Sequence, residues 1–183
     1  MISEFSVKPK PRNNNAKIFT LVSLGLGAVT FIVSMLIPKY QGIVGTVAIC
    51  FFVTSILFYT KFVAPVYYYD ITVDHRGLPI LVIRQVVGKR STTLCRVDIW
   101  AIRKIEMQTG KESRAHKTPS GMKKYIYTPT LFPPSVYRLT VISDYEVAEI
   151  VIEGTEEFAK LLEQYAGEAR TMLENLPEEY NNG

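Results

Sequence analysis

Cysteine and histidine are scarce, with two of each in 183 residues. Cys50 lies in an apolar run and Cys95 in a polar stretch far from it, so they are poor partners. A disulfide scaffold is excluded and a reducing compartment fits. His75 and His116 stand without Cys, Asp or Glu at metal-ligand spacing, so neither a metal centre nor a cofactor is expected. P-loops, dinucleotide fingerprints and hydrolase elbows are missing as well. The glycine-rich GLGAVT at Gly25 follows no strand and lies inside an apolar run. Ser, His and Asp occur in no nucleophile-and-base arrangement. Glu156 and Glu157 are adjacent on a helix and diverge, so no catalytic residue is expected and the chain is read as non-enzymatic.

Charge is also missing over two long stretches, residues 18–37 and 43–60. Each is close to the roughly 20 residues a helix needs to cross about 30 Å of hydrocarbon. The alternative is a pair of buried helices in a soluble bundle. Such helices normally keep a polar stripe, whereas LVSLGLGAVTFIVSMLI and IVGTVAICFFVTSILFY are apolar all round. Their Ser and Thr hydroxyls can bond back to the helix backbone, so they cost little in lipid. A cleaved signal peptide would be shorter and would end in small residues, unlike SMLIPKYQG. The expectation is therefore a transmembrane hairpin over residues 18–64, with Pro38 and Gly42 of IPKYQG breaking both helices at its tip. Ser23 and Gly27 form a small-x-x-x-small pattern that, with Gly25, would let the helices approach.

The tail, residues 1–17, carries Lys8, Lys10, Arg12 and Lys17 against Glu4, while the connector has only Lys39. The positive-inside bias then places both termini in the cytoplasm of a cell with an inner membrane.

From residue 65 onward, apolar and polar residues alternate between turn residues, the pattern of antiparallel strands. In VYYYDITVD, Tyr67, Tyr69, Ile71 and Val73 form the expected buried face, and Tyr68, Asp70, Thr72 and Asp74 the wet one. LPILVIRQVV and STTLCRV follow, then a short helical turn near residues 98–101 leads into a fourth strand. KKYIYTP, SVYRLTVIS and EVAEIVIEG complete seven strands, with Asp144 and Tyr145 at the last hairpin. A final helix has Thr155 as N-cap and Phe158, Leu161, Leu162, Tyr165, Ala169, Met172 and Leu173 on one face, with Pro177 marking its exit. Residues 65–177 thus form one domain, a sandwich or small barrel capped by a helix, and residues 178–183 a polar tail.

Seven strands and one amphipathic C-terminal helix, with Val97-Asp98-Ile99-Trp100-Ala101-Ile102-Arg103-Lys104-Ile105 between strands, resemble the bacterial pleckstrin-homology-like (PH-like) domains found behind short membrane hairpins. The resemblance covers residues 67 to about 176, plus the hairpin, and implies a PH-like barrel or sandwich serving as an interaction or membrane-associated module. The basic loop that carries headgroup binding in phosphoinositide-binding members is reduced here to His75, Arg76 and Gly77, so that site is not carried over.

Charge is polarised: residues 76–124 hold twelve Lys and Arg against three acids, and residues 144–183 eleven acids against two bases. In an antiparallel meander starting at Val66, the turns holding Lys89, Arg90, Lys111, Arg114, Lys117, Lys123 and Lys124 return to the membrane side, while HRG and TPTLFPPS point away. Two readings fit these bases: a rim against anionic lipid headgroups, or solvated loop charges without a partner. Leu131 and Phe132, stiffened by Pro133 and Pro134, form either a docking point for a protein partner or part of the core. No aromatic platform or nucleic-acid motif accompanies the bases, so nucleic acid is not an expected partner. The function expected is a membrane-anchored module binding a protein or anionic lipid; the alternative is an accessory subunit of a larger transporter or envelope-building complex.

Overall fold

A computed structural model describes residues 5–9, 15–143 and 146–174. The hairpin residues Asp144 and Tyr145 and the helix exit at Pro177 lie outside that set. The chain divides into two compact units, one formed by Pro11–Pro65 with Thr130–Phe132 and the other by the remaining residues.

The helical unit holds α1 (Asn15–Leu36) and α2 (Gln41–Phe58), joined through a 3-10 turn at Pro38–Tyr40 and followed by a π-helical turn at Tyr59–Val63. Pro38 starts the 3-10 turn, but Gly42 lies inside α2 and breaks nothing, so the tip is tighter than expected. Both helices are long and apolar enough to cross a membrane. Their most apolar windows are only 17% and 11% buried, unlike a soluble core helix, and the residues that are fully buried are all small. Gly27 and Ala48 are among them, whereas Leu21, Leu36 and Ile43 are each about two-thirds exposed or more. Ser23 Oγ donates to the Phe51 carbonyl at 2.9 Å and Ser55 Oγ to that of Thr20 at 3.0 Å. A Cβ on Gly27 would lie 3.1 Å from the Phe52 ring, while Gly25 meets nothing within 4 Å. Gly27 therefore supports the expected close approach and Gly25 does not. Thr20, Thr30, Thr46, Thr54 and Thr60 bond back to backbone carbonyls four residues earlier, as their expected cost in lipid requires.

The other unit contains two four-stranded sheets and α4 (Glu156–Glu174). The first sheet runs in order β1 (Phe5–Val7), β2 (Val66–Val73), β3 (Pro79–Val87), β4 (Arg90–Asp98), all antiparallel. The stretch read as a tail thus supplies a strand: Phe5 pairs with Ile71, Ser6 with Asp70 and Val7 with Tyr69. After a 3-10 corner at Ile99–Ala101, β5 (Ile102–Thr109) opens the second sheet, and α3 (Gly110–Ala115) begins the crossing to β6 (Lys123–Tyr127). β7 (Ser135–Ile142) and β8 (Val147–Ile152) complete the sheet in the order β5, β7, β8, β6. β6 lies at the far edge, parallel to β8, where an antiparallel meander was expected.

Tyr67, Tyr69, Ile71, Leu81, Ile83, Leu139, Ile150 and Ile152 fill the space between the sheets, and Phe158, Leu162 and Tyr165 of α4 close it. Thr155 caps α4 by accepting from the Phe158 N–H at 3.2 Å. Arg170 fastens the last turns to the corner through the Trp100 and Ile102 carbonyls. Tyr69 ties one sheet to the other: its hydroxyl donates to the Tyr127 carbonyl at 2.6 Å and accepts from the Glu153 N–H at 3.3 Å. Burial pushes the Tyr69 phenol well above its ordinary pKa, so it remains a neutral donor.

Candidate functional site

The residues expected to carry function are the seven loop bases and the Leu131–Phe132 tip. Strand register fixes where the bases fall. Val66 pairs with Val86, and Val87 with Arg90, so the turn holding Lys89 and Arg90 sits at the end of the first sheet where β2 begins. β1 runs from Phe5 opposite Ile71 to Val7 opposite Tyr69 and therefore heads toward that same end. The chain leaves for the helical hairpin after β1 and returns into β2 from one end of one sheet. Lys8 joins Lys89 and Arg90 there, its ammonium 5.8 Å from the centre of the Tyr68 ring.

The long basic loop does not form a single rim. Thr109 pairs with Ser135, and the Gly110 N–H donates to the Pro134 carbonyl at 2.7 Å, so Lys111 and Arg114 of α3 stand beside the TPTLFPPS segment. This corrects the expectation that the two loops occupy opposite ends. β6 runs parallel to β8 and finishes at the Thr109 end, so the loop leaving it must start there. Lys123 pairs with Ala148 and Lys124 with Glu149, which puts both at the opposite end of the second sheet. Lys123 is also engaged by Glu146 at 2.7 Å; that hydrogen bond holds the ammonium above its ordinary pKa. Arg114 bonds the Gly110 carbonyl at 2.9 Å. Lys89, Arg90, Lys111, Lys117 and Lys124 are exposed. Thr130–Phe132 group with the helices, and Phe132 meets Phe19 of α1 edge-on, with ring centres 6.4 Å apart. Of the segment read as pointing away, only these three residues belong to the helical unit.

What directs the basic loop across the sheet is a buried ion pair that sequence reading did not single out. Arg138 of β7 and Glu149 of β8 are 1% and 2% exposed on the sheet face opposite the core, and they pair there. Arg138 Nε donates to Gln108 at 3.0 Å. Thr118 Oγ1 donates to Glu149 at 2.7 Å, and His116 Nε2 lies 3.2 Å from the same carboxylate. Ser113 approaches the Arg138 guanidinium at 3.4 Å. Residues 113–118 therefore form a strap over the pair. Burial pushes the Glu149 carboxyl up, but the Arg138 and Thr118 hydrogen bonds outweigh it and hold the group below its ordinary pKa. A capping box between Thr109 and Glu112 starts α3, a sequence signal that could have revealed this helix.

Among the described residues, no group of three or more His, Cys, Asp or Glu could hold a metal ion. Compared with known proteins, the chain matches no protein-family model, no curated protein and no solved structure.

Proposed function

We propose that this chain is a membrane-anchored, PH-like interaction module, with α1 and α2 crossing the bilayer and the β unit working at an anionic leaflet. The observation that carries the reading is the pairing of β1 with β2, which makes both legs of the hairpin leave from one end of the first sheet. Two crossings return a chain to the side on which it started, as this arrangement requires. Lys8, Lys89 and Arg90 gather at that end, and the positive-inside bias makes its compartment the cytoplasm. Bases held near an anionic surface contribute about 1 kcal/mol each. Seven core strands and a closing helix support the PH-like reading; the parallel β6 is this chain's departure from the expected meander. The module's role is binding rather than catalysis.

A test uses the full chain in lipid nanodiscs with a fluorophore at position 89 or 76 and a quencher on the lipid headgroups. Position 89 should be quenched more strongly than 76 in anionic discs, and the difference should shrink with salt. Equal quenching at both positions in neutral and anionic discs would remove the lipid-surface role.

A further inference from the structure

The face of the first sheet turned away from the core has chemistry that neither the loops nor the hairpin explains. Ser6, Asp70, Val82 and Arg96 lie side by side on four neighbouring strands, and Tyr68, Arg84 and Thr93 form the next row. Asp70 was expected on a wet face, yet it is 5% exposed. It accepts hydrogen bonds from Ser6 Oγ and Arg84 Nε, each at 2.5 Å. Over these rows lies a cavity of about 740 Å³, with Thr72, His75, Thr93 and Arg96 among its lining residues. That volume falls in the roughly 300–1,000 Å³ range of small-molecule sites.

The charges in the cavity are unevenly satisfied. Asp70 is neutralised by Arg84, and Asp74 by Arg76 at 3.1 Å and by the backbone N–H groups of Arg76 and Leu78. Arg96 makes no hydrogen bond or ion pair among the described residues. It stands opposite Val82, two residues from Arg84 along β3 and across a bulge in the β3–β4 register, and both arginines line the same cavity. Asp70 holds Arg84 by one N–H and leaves the rest of the guanidinium fork available. With Asp70 paired to Arg84, and Asp74 to Arg76 just outside the cavity, Arg96 is left as the one unbalanced charge of the lining, so the site favours an anion over a cation. Val82, Ile80 and Val73 give the same cavity an apolar flank, which suits an organic body attached to that anion.

We propose that this cavity binds an organic oxyanion, a phosphate ester or carboxylate on an apolar body, gripped by Arg96 and Arg84. The site is separate from the loop bases and stands whether or not those touch lipid.

The full chain in neutral nanodiscs is titrated with phenyl phosphate, phenylacetate and benzyl alcohol, and binding is followed by calorimetry. At least one of the two anions should bind and the neutral alcohol should not. Arg96→Gln, an exposed change, should weaken that anion about tenfold or more, while Lys160→Gln, an exposed change on α4, should leave it unchanged. Because Arg84→Gln alone would strand the Asp70 charge, the Asp70→Asn, Arg84→Gln pair is the second variant, and it should also weaken binding. Discs containing phosphatidic acid identify the source. Competition with phenyl phosphate through Arg96 marks a lipid headgroup and its absence a soluble ester, and either result upholds the oxyanion site. Equal binding of anions and alcohol, no binding of either anion, or an Arg96→Gln protein with unchanged affinity would overturn the proposal.

Discussion

Removing one member of the Arg138–Glu149 pair should be among the most damaging single changes to the β unit, and removing both should be milder. The pair is almost wholly buried, at 1% and 2% exposure, and holds the strap through Ser113, His116 and Thr118. Glu149→Leu leaves a buried guanidinium that cannot lose its proton, and breaking such a pair costs about 3–5 kcal/mol. Arg138→Met should cost less, because the stranded Glu149 carboxyl can take up a proton or pair with His116 at 3.2 Å. The double variant replaces both charges with apolar groups and should recover most of the larger loss.

Urea unfolding in detergent, followed by the fluorescence of Trp100, the chain's only tryptophan, reads the β unit directly. The Glu149 carboxyl titrates lower in the folded than in the unfolded state. Its stabilisation is therefore complete above the unfolded pKa of about 4.3 and is lost as pH falls through the folded value. The stability gap between the natural protein and Glu149→Leu should narrow below about pH 4. If the double variant loses the sum of the two single losses, the pair is uncoupled and the strap is not held as described.

Three further outcomes are expected. Gly110→Ala would put a Cβ 2.1 Å from the Pro133 carbonyl oxygen, so it should destabilise the β unit by about 1–3 kcal/mol in the same urea assay. Tyr69→Phe deprives the Tyr127 carbonyl and the Glu153 N–H of their shared partner and should cost about 1–3 kcal/mol, with hydrogen exchange accelerated at Glu153. Gly27→Leu drives a side chain into Phe51 and Phe52 and should part α1 from α2, read as loss of a crosslink between cysteines placed on the two helices.

Much of the fold could be read from the sequence because the signals were local. The apolar helices declared themselves by lacking any polar stripe, and α4 by Thr155 and the spacing of Phe158, Leu162 and Tyr165. Alternation gave the seven longer strands and the correct face for Tyr67, Tyr69 and Ile71. It gave the wrong environment for Asp70 and no hint of the burial of Arg138, since alternation reports which side of a sheet a residue faces and not what later covers that side. Asp70 is covered by Ser6 and Arg84, and Arg138 by the strap. β1 was hidden because three residues followed by the basic, proline-containing stretch KPKPR are too short for a period to show. Pairing order is non-local, so the crossing to β6 was not visible, and with it went the idea of one basic rim. Lys89 and Arg90 fall where the expected meander placed them, at the end where β2 begins, while Lys123 and Lys124 do not share an end with Lys111.

The central claim is tested most directly by single cysteines at positions 8, 39 and 61, in a protein with Cys50 and Cys95 replaced by serine, labelled in sealed membranes with an impermeant maleimide. The account predicts that positions 8 and 61 react from one side and position 39 from the other. Opposite accessibility of 8 and 61, or labelling of all three from one side, would contradict it.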